Sequence, residues 1–139
     1  MYCPTFLLRS FDTIDETTRF VVMDCLFDGL VTANVAYLIA RPDTPNLYNA
    51  NVRYLAEPDG VDEWQDIPDT IRRRSGDCED LACWRVAELR VRFGERAARP
   101  NITVDLLPDS KGRKITTYHI RVLRADGRIE DPSRLLGMP

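Results

Sequence analysis

Two stretches of the N-terminal third carry apolar residues at helical spacing. Thr13 and Glu16 form a capping-box pattern, which predicts a helix that begins near Ile14 and ends near Gly29. A second apolar stripe predicts another helix over residues 30–40, which an Arg-Pro pair then stops. The apolar positions of the two stretches are Phe20, Met23, Phe27, Leu30, Val31, Val35, Leu38 and Ile39. We expect both helices to form core against the rest of the chain.

The middle of the chain predicts a longer, mostly buried helix with short elements before it. A strand over residues 52–56 is followed by a turn and by a short helix from Asp66 to Arg74, with a proline in its first turn. The stretch from 77 to 93 is apolar around most of its circumference, which is typical of a helix enclosed by other elements. Residues 1–11 are apolar and include a proline, which predicts an edge strand or an arm.

The last third of the chain changes to an alternating apolar and polar pattern. Strands are predicted over residues 101–107, 114–124 and 128–131, with a turn-rich connection after the first. Strands that follow one another through short turns pair in an antiparallel sheet. The helices and this sheet together predict an α+β domain.

The loop of the last hairpin decides which residues share a face of the sheet. A two-residue loop places Asp131 opposite Val122, on the face that His119 does not share. A three-residue loop, with Gly127 in the left-handed conformation of a bulge, places Asp131 opposite Arg121 and makes it a diagonal neighbour of His119. The pattern leaves both registers open, and joint action of His119 and Asp131 requires the three-residue loop.

Length and charge limit the class of protein. The 139 residues predict a single domain, with an N-terminal helical part over residues 1–45 and a core with the candidate chemistry over residues 46–139. The net charge of −3 gives no reason to expect nucleic acid or an anionic membrane as a partner. No apolar run reaches the roughly 18 residues of a membrane span, and no secretory signal precedes the domain. We therefore expect a cytoplasmic protein.

All four cysteines are predicted to be reduced: Cys3, Cys25, Cys78 and Cys83. A chain of this length, well supplied with Leu, Val and Ile, does not need disulfides to fold. Cys78 and Cys83 fall on different faces of one helix, which is a poor geometry for a bond, and Cys83 is expected in the core. One histidine and no Cys-x-x-Cys pair give no support to a metal site.

Cys78 stands at the predicted start of the central helix, where the backbone favours a reactive thiol. Asp77 is a good N-cap residue, which makes Cys78 the first helical residue, and Asp80 is placed to complete a capping box. Unpaired N–H groups and the positive end of the helix dipole lower the pKa of a thiol at this position. We therefore expect Cys78 to be a nucleophilic thiolate.

A thiolate that attacks an acyl group needs a proton carrier, and the chain has one histidine, His119. Asp131 lies downstream and would orient the imidazole. The helix start Gly76–Ala82, the Tyr-His-Ile around His119 and the Glu-Asp-Pro-Ser around Asp131 resemble the transglutaminase-like, papain-related cysteine peptidases. The pattern is most similar to small bacterial and phage-encoded members of that superfamily, over residues 46–138.

The resemblance implies a fold and a mechanism. The buried helix that carries the cysteine would pack on a small antiparallel sheet that carries the histidine and the aspartate, as in papain- and transglutaminase-like cores. Cys78, His119 and Asp131 would form a catalytic triad that hydrolyses a peptide, amide or isopeptide bond through a thioester, with no cofactor and no metal. Gln65 or Trp64 would donate a hydrogen bond to the oxyanion.

Two alternatives to hydrolysis stay open. Attack by an amine instead of water would make the protein a transglutaminase, and a non-catalytic member of the fold would serve as a phage or prophage assembly or binding module. The expected partner is a peptide or protein, such as a cell-wall peptide or a phage structural protein. A phage-encoded chain of this kind would be virion-associated.

Overall fold

The computed structural model describes residues 10–58, 61–108 and 110–139 and has the α+β composition that the pattern predicts. Residues 1–9 of the predicted arm lie outside the described residues. The helices are α1 (Glu16–Ala40), α2 (Ile67–Arg73), α3 (Cys78–Arg92) and α4 (Pro132–Leu135), with short 3-10 turns at Phe11–Thr13 and Leu47–Asn49. The strands are β1 (Arg53–Tyr54), β2 (Ser75–Gly76), β3 (Arg99–Pro108), β4 (Lys114–Leu123) and β5 (Ile129–Glu130).

The first helix corrects the prediction of two helices. α1 is continuous over 25 residues, and its N-cap is Asp15, which accepts a hydrogen bond from the Thr18 N–H at 2.9 Å, rather than Thr13. Gly29 was expected to end a helix but lies inside α1, where a Cβ would meet only open space. A glycine inside a helix costs about 1 kcal/mol, which the packing of a whole helix face outweighs.

One face of α1 is buried in the core, and the other faces solvent. The buried residues are Met23, Phe27, Val31, Asn34 and Leu38. By length and composition α1 is apolar enough to cross a membrane, with a mean hydropathy of 1.5, which corrects the expectation that no stretch reaches this length. Its buried stripe packs on α3, as helices do in a protein core.

α3 is the centre of the fold and contacts both α1 and β4. Its observed bounds agree with the predicted span of 77 to 93, and Cys83 is buried as expected. The fully buried apolar residues of α3 are Leu81, Ala82, Cys83, Trp84, Val86, Ala87 and Leu89. A helix enclosed in this way is a rigid mount for the residue at its first position.

The hairpin between β4 and β5 has the three-residue loop. The Arg124 N–H donates to the Arg128 carbonyl at 2.8 Å, and Gly127 has a φ of +88°. The strands β3, β4 and β5 pair antiparallel in that order. The register of the β4–β5 pair places His119 and Asp131 on one face, which confirms the register that their joint action requires.

A short parallel pair, β1 with β2, holds the turn that leads into α3. The Leu55 N–H donates to the Gly76 carbonyl at 3.0 Å. A Cβ on Gly76 would lie 2.9 Å from the Asp80 Cβ and 3.3 Å from the Thr70 Cγ2, so a larger residue does not fit without movement. The pattern predicted the strand at 52–56 but not its partner, because a two-residue strand leaves no periodicity.

Candidate active site

The first turn of α3 is closed by a reciprocal capping box, as predicted. The Asp80 N–H donates to the Asp77 carboxylate at 3.5 Å, and the Asp77 N–H donates to the Asp80 carboxylate at 3.2 Å. Cys78 is therefore the first helical residue, and its side chain is partly buried. The cap fixes where the sulfur stands relative to the helix axis.

Gln65, a candidate oxyanion donor, is bonded to the cap of α3. Its backbone N–H and its side-chain amide donate to the two Asp80 oxygens at 2.6 Å and 2.8 Å, and only 6% of the residue is exposed. Burial and the neighbouring Asp77 charge raise the pKa of Asp80 to about 9, against the effect of the N–H donors. In this geometry Gln65 orders the first turn of α3, and its amide nitrogen is already bonded to Asp80.

His119 and Asp131 form the predicted pair. The His119 Nε2 lies 2.8 Å from the Asp131 Oδ2, and both side chains are largely buried. The other oxygen of Asp131 accepts the Arg134 N–H at 3.2 Å and so caps α4. Because Nε2 is held by the carboxylate, Nδ1 is the ring nitrogen that remains for proton exchange.

The Cys78 thiol donates to the Glu79 carboxylate, with Sγ and Oε2 separated by 3.0 Å. The backbone N–H of Ile120, which follows His119 in β4, also acts on the sulfur and lowers its pKa. No hydrogen bond joins Cys78 and His119 among residues 10–58, 61–108 and 110–139. The structure thus brings the sulfur to the β4 peptide next to His119 without a direct bond to the imidazole.

The resting thiol differs from the thiolate that the sequence predicts. Burial first, and then the Glu79 charge and hydrogen bond, raise the pKa of Cys78 far above its ordinary value. Burial and the charge of Asp77 raise the pKa of Glu79 as well. A helix dipole contributes about 0.3–1 kcal/mol, roughly one pKa unit at most, which a desolvated site beside carboxylates exceeds.

Cys78 opens into a cavity of about 390 Å³ with acidic and aromatic walls. Trp64, the second oxyanion candidate, lines this cavity, but its indole N–H donates to Asp62 at 2.6 Å. The lining residues include Tyr118 and Ile120 but not His119 between them, because side chains alternate across a strand. The carboxylates in the lining are Glu57, Asp62, Asp77 and Glu79.

The carboxylates lie close to one another, and sequence reasoning missed their role. One oxygen each from Glu57, Asp62 and Asp77 lies within 4.8 Å of the others, close enough for a single cation to contact all three. Burial, and then mutual repulsion, raises the pKa of Glu57 and of Asp77. Two features of the sequence point to this acidic cluster: the acidic residues that recur between positions 57 and 63, and Glu79 directly after the cysteine.

Comparison of the chain with protein-family models, with curated protein sequences and with solved structures found no significant match.

Proposed function

We propose that the protein is a cysteine-dependent acyl-transfer enzyme that hydrolyses a peptide or amide bond with Cys78, His119 and Asp131. The observation that carries the proposal is the 2.8 Å contact between His119 and Asp131, in a strand whose next residue, Ile120, lines one cavity with Cys78. A helix-start cysteine, a strand histidine and an orienting carboxylate are the parts of a thiol hydrolase. The resemblance of the sequence to transglutaminase-like peptidases is consistent with this choice.

In the proposed reaction the resting thiol is protonated, and the imidazole acts as a general base. Because no hydrogen bond joins His119 to Cys78 at rest within the described residues, Nδ1 of His119 would take the thiol proton through one bridging water, while Asp131 holds Nε2 and stabilises the imidazolium. The sulfur attacks the carbonyl carbon, a C–S bond forms, and the C–N bond breaks as the imidazolium gives its proton to the leaving amine. Water, deprotonated by the imidazole, then cleaves the thioester and restores the thiol.

The oxyanion formed in the attack needs a donor near the start of α3. The N–H of Cys78 itself belongs to the unpaired first turn of the helix and is our candidate. Trp64 would serve only after its indole N–H leaves Asp62, and Gln65 only after its amide leaves Asp80. An amine in place of water would turn the same thioester chemistry into a transglutaminase reaction.

Hydrolysis of p-nitrophenyl acetate tests the proposal without knowledge of the natural substrate. We expect wild type to turn over the ester and to carry an acetyl group on Cys78 in mass spectra of quenched samples. Cys78→Ala should do neither, and His119→Ala should be slower by about 10²–10⁴-fold. Equal turnover by wild type and Cys78→Ala would refute the proposal, with circular dichroism to verify that each variant folds.

A binding or assembly module that keeps this fold is the second candidate. The observation that favours it is the resting thiol, which is bonded to Glu79 and has a strongly raised pKa. A binding module has no need of a reactive sulfur. It predicts that Cys78 is acetylated no faster than the exposed Cys25 on α1, and that His119→Ala leaves this rate unchanged.

A further inference from the structure

The cavity beside Cys78 concentrates negative charge that no basic side chain offsets. Neither lysine nor arginine occurs among its lining residues. Within the described part of the chain, none of its four carboxylates forms an ion pair with a basic side chain. Three of these carboxylates, from Glu57, Asp62 and Asp77, bring one oxygen each within 4.8 Å of the others, and a cation bound among them would offset their mutual repulsion.

The walls of the cavity suit an organic cation. The indole of Trp64 stacks on the ring of Phe27 with centroids 4.6 Å apart, and Tyr54 and Tyr118 complete the aromatic lining. Aromatic faces attract ammonium and guanidinium groups and also contact the methylene groups that carry them. The volume of about 390 Å³ is large enough for a side chain of this kind.

We propose that the cavity binds a positively charged side chain of the substrate, so that the enzyme cleaves a bond next to a lysine- or arginine-like residue. The cation would contact Glu57, Asp62 and Asp77, with its carbon chain against Trp64. This assignment of the substrate class rests on the proposed function. The charge preference of the cavity itself does not depend on catalysis and is measured separately.

Two thiol reagents that differ in charge measure the preference directly. Trimethylammonioethyl methanethiosulfonate is cationic and sulfonatoethyl methanethiosulfonate is anionic, and each forms a mixed disulfide with the thiolate and releases methanesulfinate. We measure the rate at which each reagent modifies Cys78 by mass spectrometry and take the ratio of the cationic to the anionic rate. Dividing by the same ratio for N-acetylcysteine amide corrects for the intrinsic reactivity of the reagents. The expected preference for the cation is at least about tenfold, falling as salt is added.

Variants test whether the carboxylates cause the preference. Glu57→Gln combined with Asp62→Asn should reduce the preference severalfold, because it removes two of the charges from the cavity wall. Asp28→Asn on the exposed side of α1 changes charge outside the cavity and serves as the matched control. Equal corrected rates for the two reagents in wild type, or an unchanged preference in the double variant, would overturn the inference.

Peptide substrates then connect the preference to the reaction. Fluorogenic peptide amides with lysine, norleucine or glutamate beside the scissile bond should be cleaved in that order of kcat/KM. Reagent selectivity without ester hydrolysis would refute the proposed function and leave the cation site standing. Ester hydrolysis without reagent selectivity, or with norleucine and lysine peptides cleaved equally, would refute the substrate class alone.

Discussion

The carboxylates towards the two ends of α3 have different side-chain partners. Towards the C-terminal half of α3, Glu88 has no exposed surface, and it accepts the Arg85 guanidinium at 2.6 Å and the Leu47 N–H at 2.8 Å. At the N-terminus, Glu79 is half-buried, and its carboxylate accepts the Cys78 thiol at 3.0 Å. The first carboxylate is satisfied by the protein, whereas the second lies in a cavity with no basic neighbour in its lining.

The paired carboxylates extend into a network that ties α3 to the hairpin. Arg85 contacts Glu130 at 2.7 Å, Glu130 contacts Arg124 at 2.9 Å, and Arg124 also binds Glu95. Glu130 immediately precedes Asp131, so this network holds the chain that presents the candidate carboxylate. Arginine thus ties the carboxylates of the C-terminal half of α3 into the structure, whereas the carboxylates of the cavity have no such partner in the described part of the chain, and we propose that a cation takes that place.

Removal of Arg85 from the paired end of α3 should have the largest effect on stability. Arg85→Met leaves Glu88 and Glu130 without this partner, and removal of one member of a buried ion pair costs about 3–5 kcal/mol. We expect a loss of that size in the free energy of unfolding, measured by urea denaturation. Arg72→Met, whose side chain is 71% exposed, should change it by less than about 1 kcal/mol. Similar losses for both variants would contradict the assignment of Arg85 to structure.

Gly76→Ala tests how tightly the turn before Cys78 is packed. The new methyl group would lie 2.9 Å from the Asp80 Cβ, which cannot move without the backbone. Overpacking of this kind costs about 1–3 kcal/mol. Urea denaturation measures the loss. Gly29→Ala, where a Cβ meets open space, should instead stabilise the protein by up to about 1 kcal/mol. A neutral Gly76→Ala would show that the turn yields without strain.

Glu79→Gln removes a carboxylate that contacts the Cys78 thiol. The Glu79 charge raises the pKa of Cys78, so its removal lowers that pKa and increases the thiolate fraction at neutral pH. We expect iodoacetamide to alkylate Cys78 about tenfold faster at pH 7 than in wild type, as one pKa unit implies. Asp28→Asn is the control, and an unchanged rate in Glu79→Gln would show that burial alone suppresses the thiol.

The same variant should change how stability depends on pH. The folded pKa of Glu79 is raised above its unfolded value, so the folded state binds more protons, and stability present at acid pH is lost as pH rises through the folded pKa. Wild type should therefore lose stability to urea as pH rises above the ordinary pKa of a glutamate, about 4.3, and Glu79→Gln should lose less. A steeper loss of stability with pH in Glu79→Gln than in wild type would show that folding does not raise the pKa of Glu79.

Asp131→Asn gives the smallest structural effect and separates its two roles. Asparagine caps a helix about as well as aspartate, so unfolding free energy should change by less than about 0.5 kcal/mol. The carboxylate that stabilises an imidazolium is lost, so ester turnover should fall while acetylation of Cys78 still occurs. Unchanged turnover would leave Asp131 with the capping of α4 as its only role.

Local chemistry alone determined much of this protein. Asp77, Cys78 and Asp80 lie within one helical turn, and their capping geometry depends on little else, so the position of the sulfur at a helix start was predictable. The requirement of a three-residue loop followed from the period of two in a strand and was confirmed by the register of His119 and Asp131.

Other features depend on residues far apart in the chain and follow from packing in three dimensions. The continuity of α1 through Gly29 came from packing that no window of sequence contains. The pKa of Cys78 is raised above its ordinary value because the burial of the sulfur and the Glu79 carboxylate outweigh the helix dipole. The acidic cavity arises because Glu57 and Asp62 lie close to Asp77 at the start of α3, and an electrostatic environment is set by distances in space rather than along the chain.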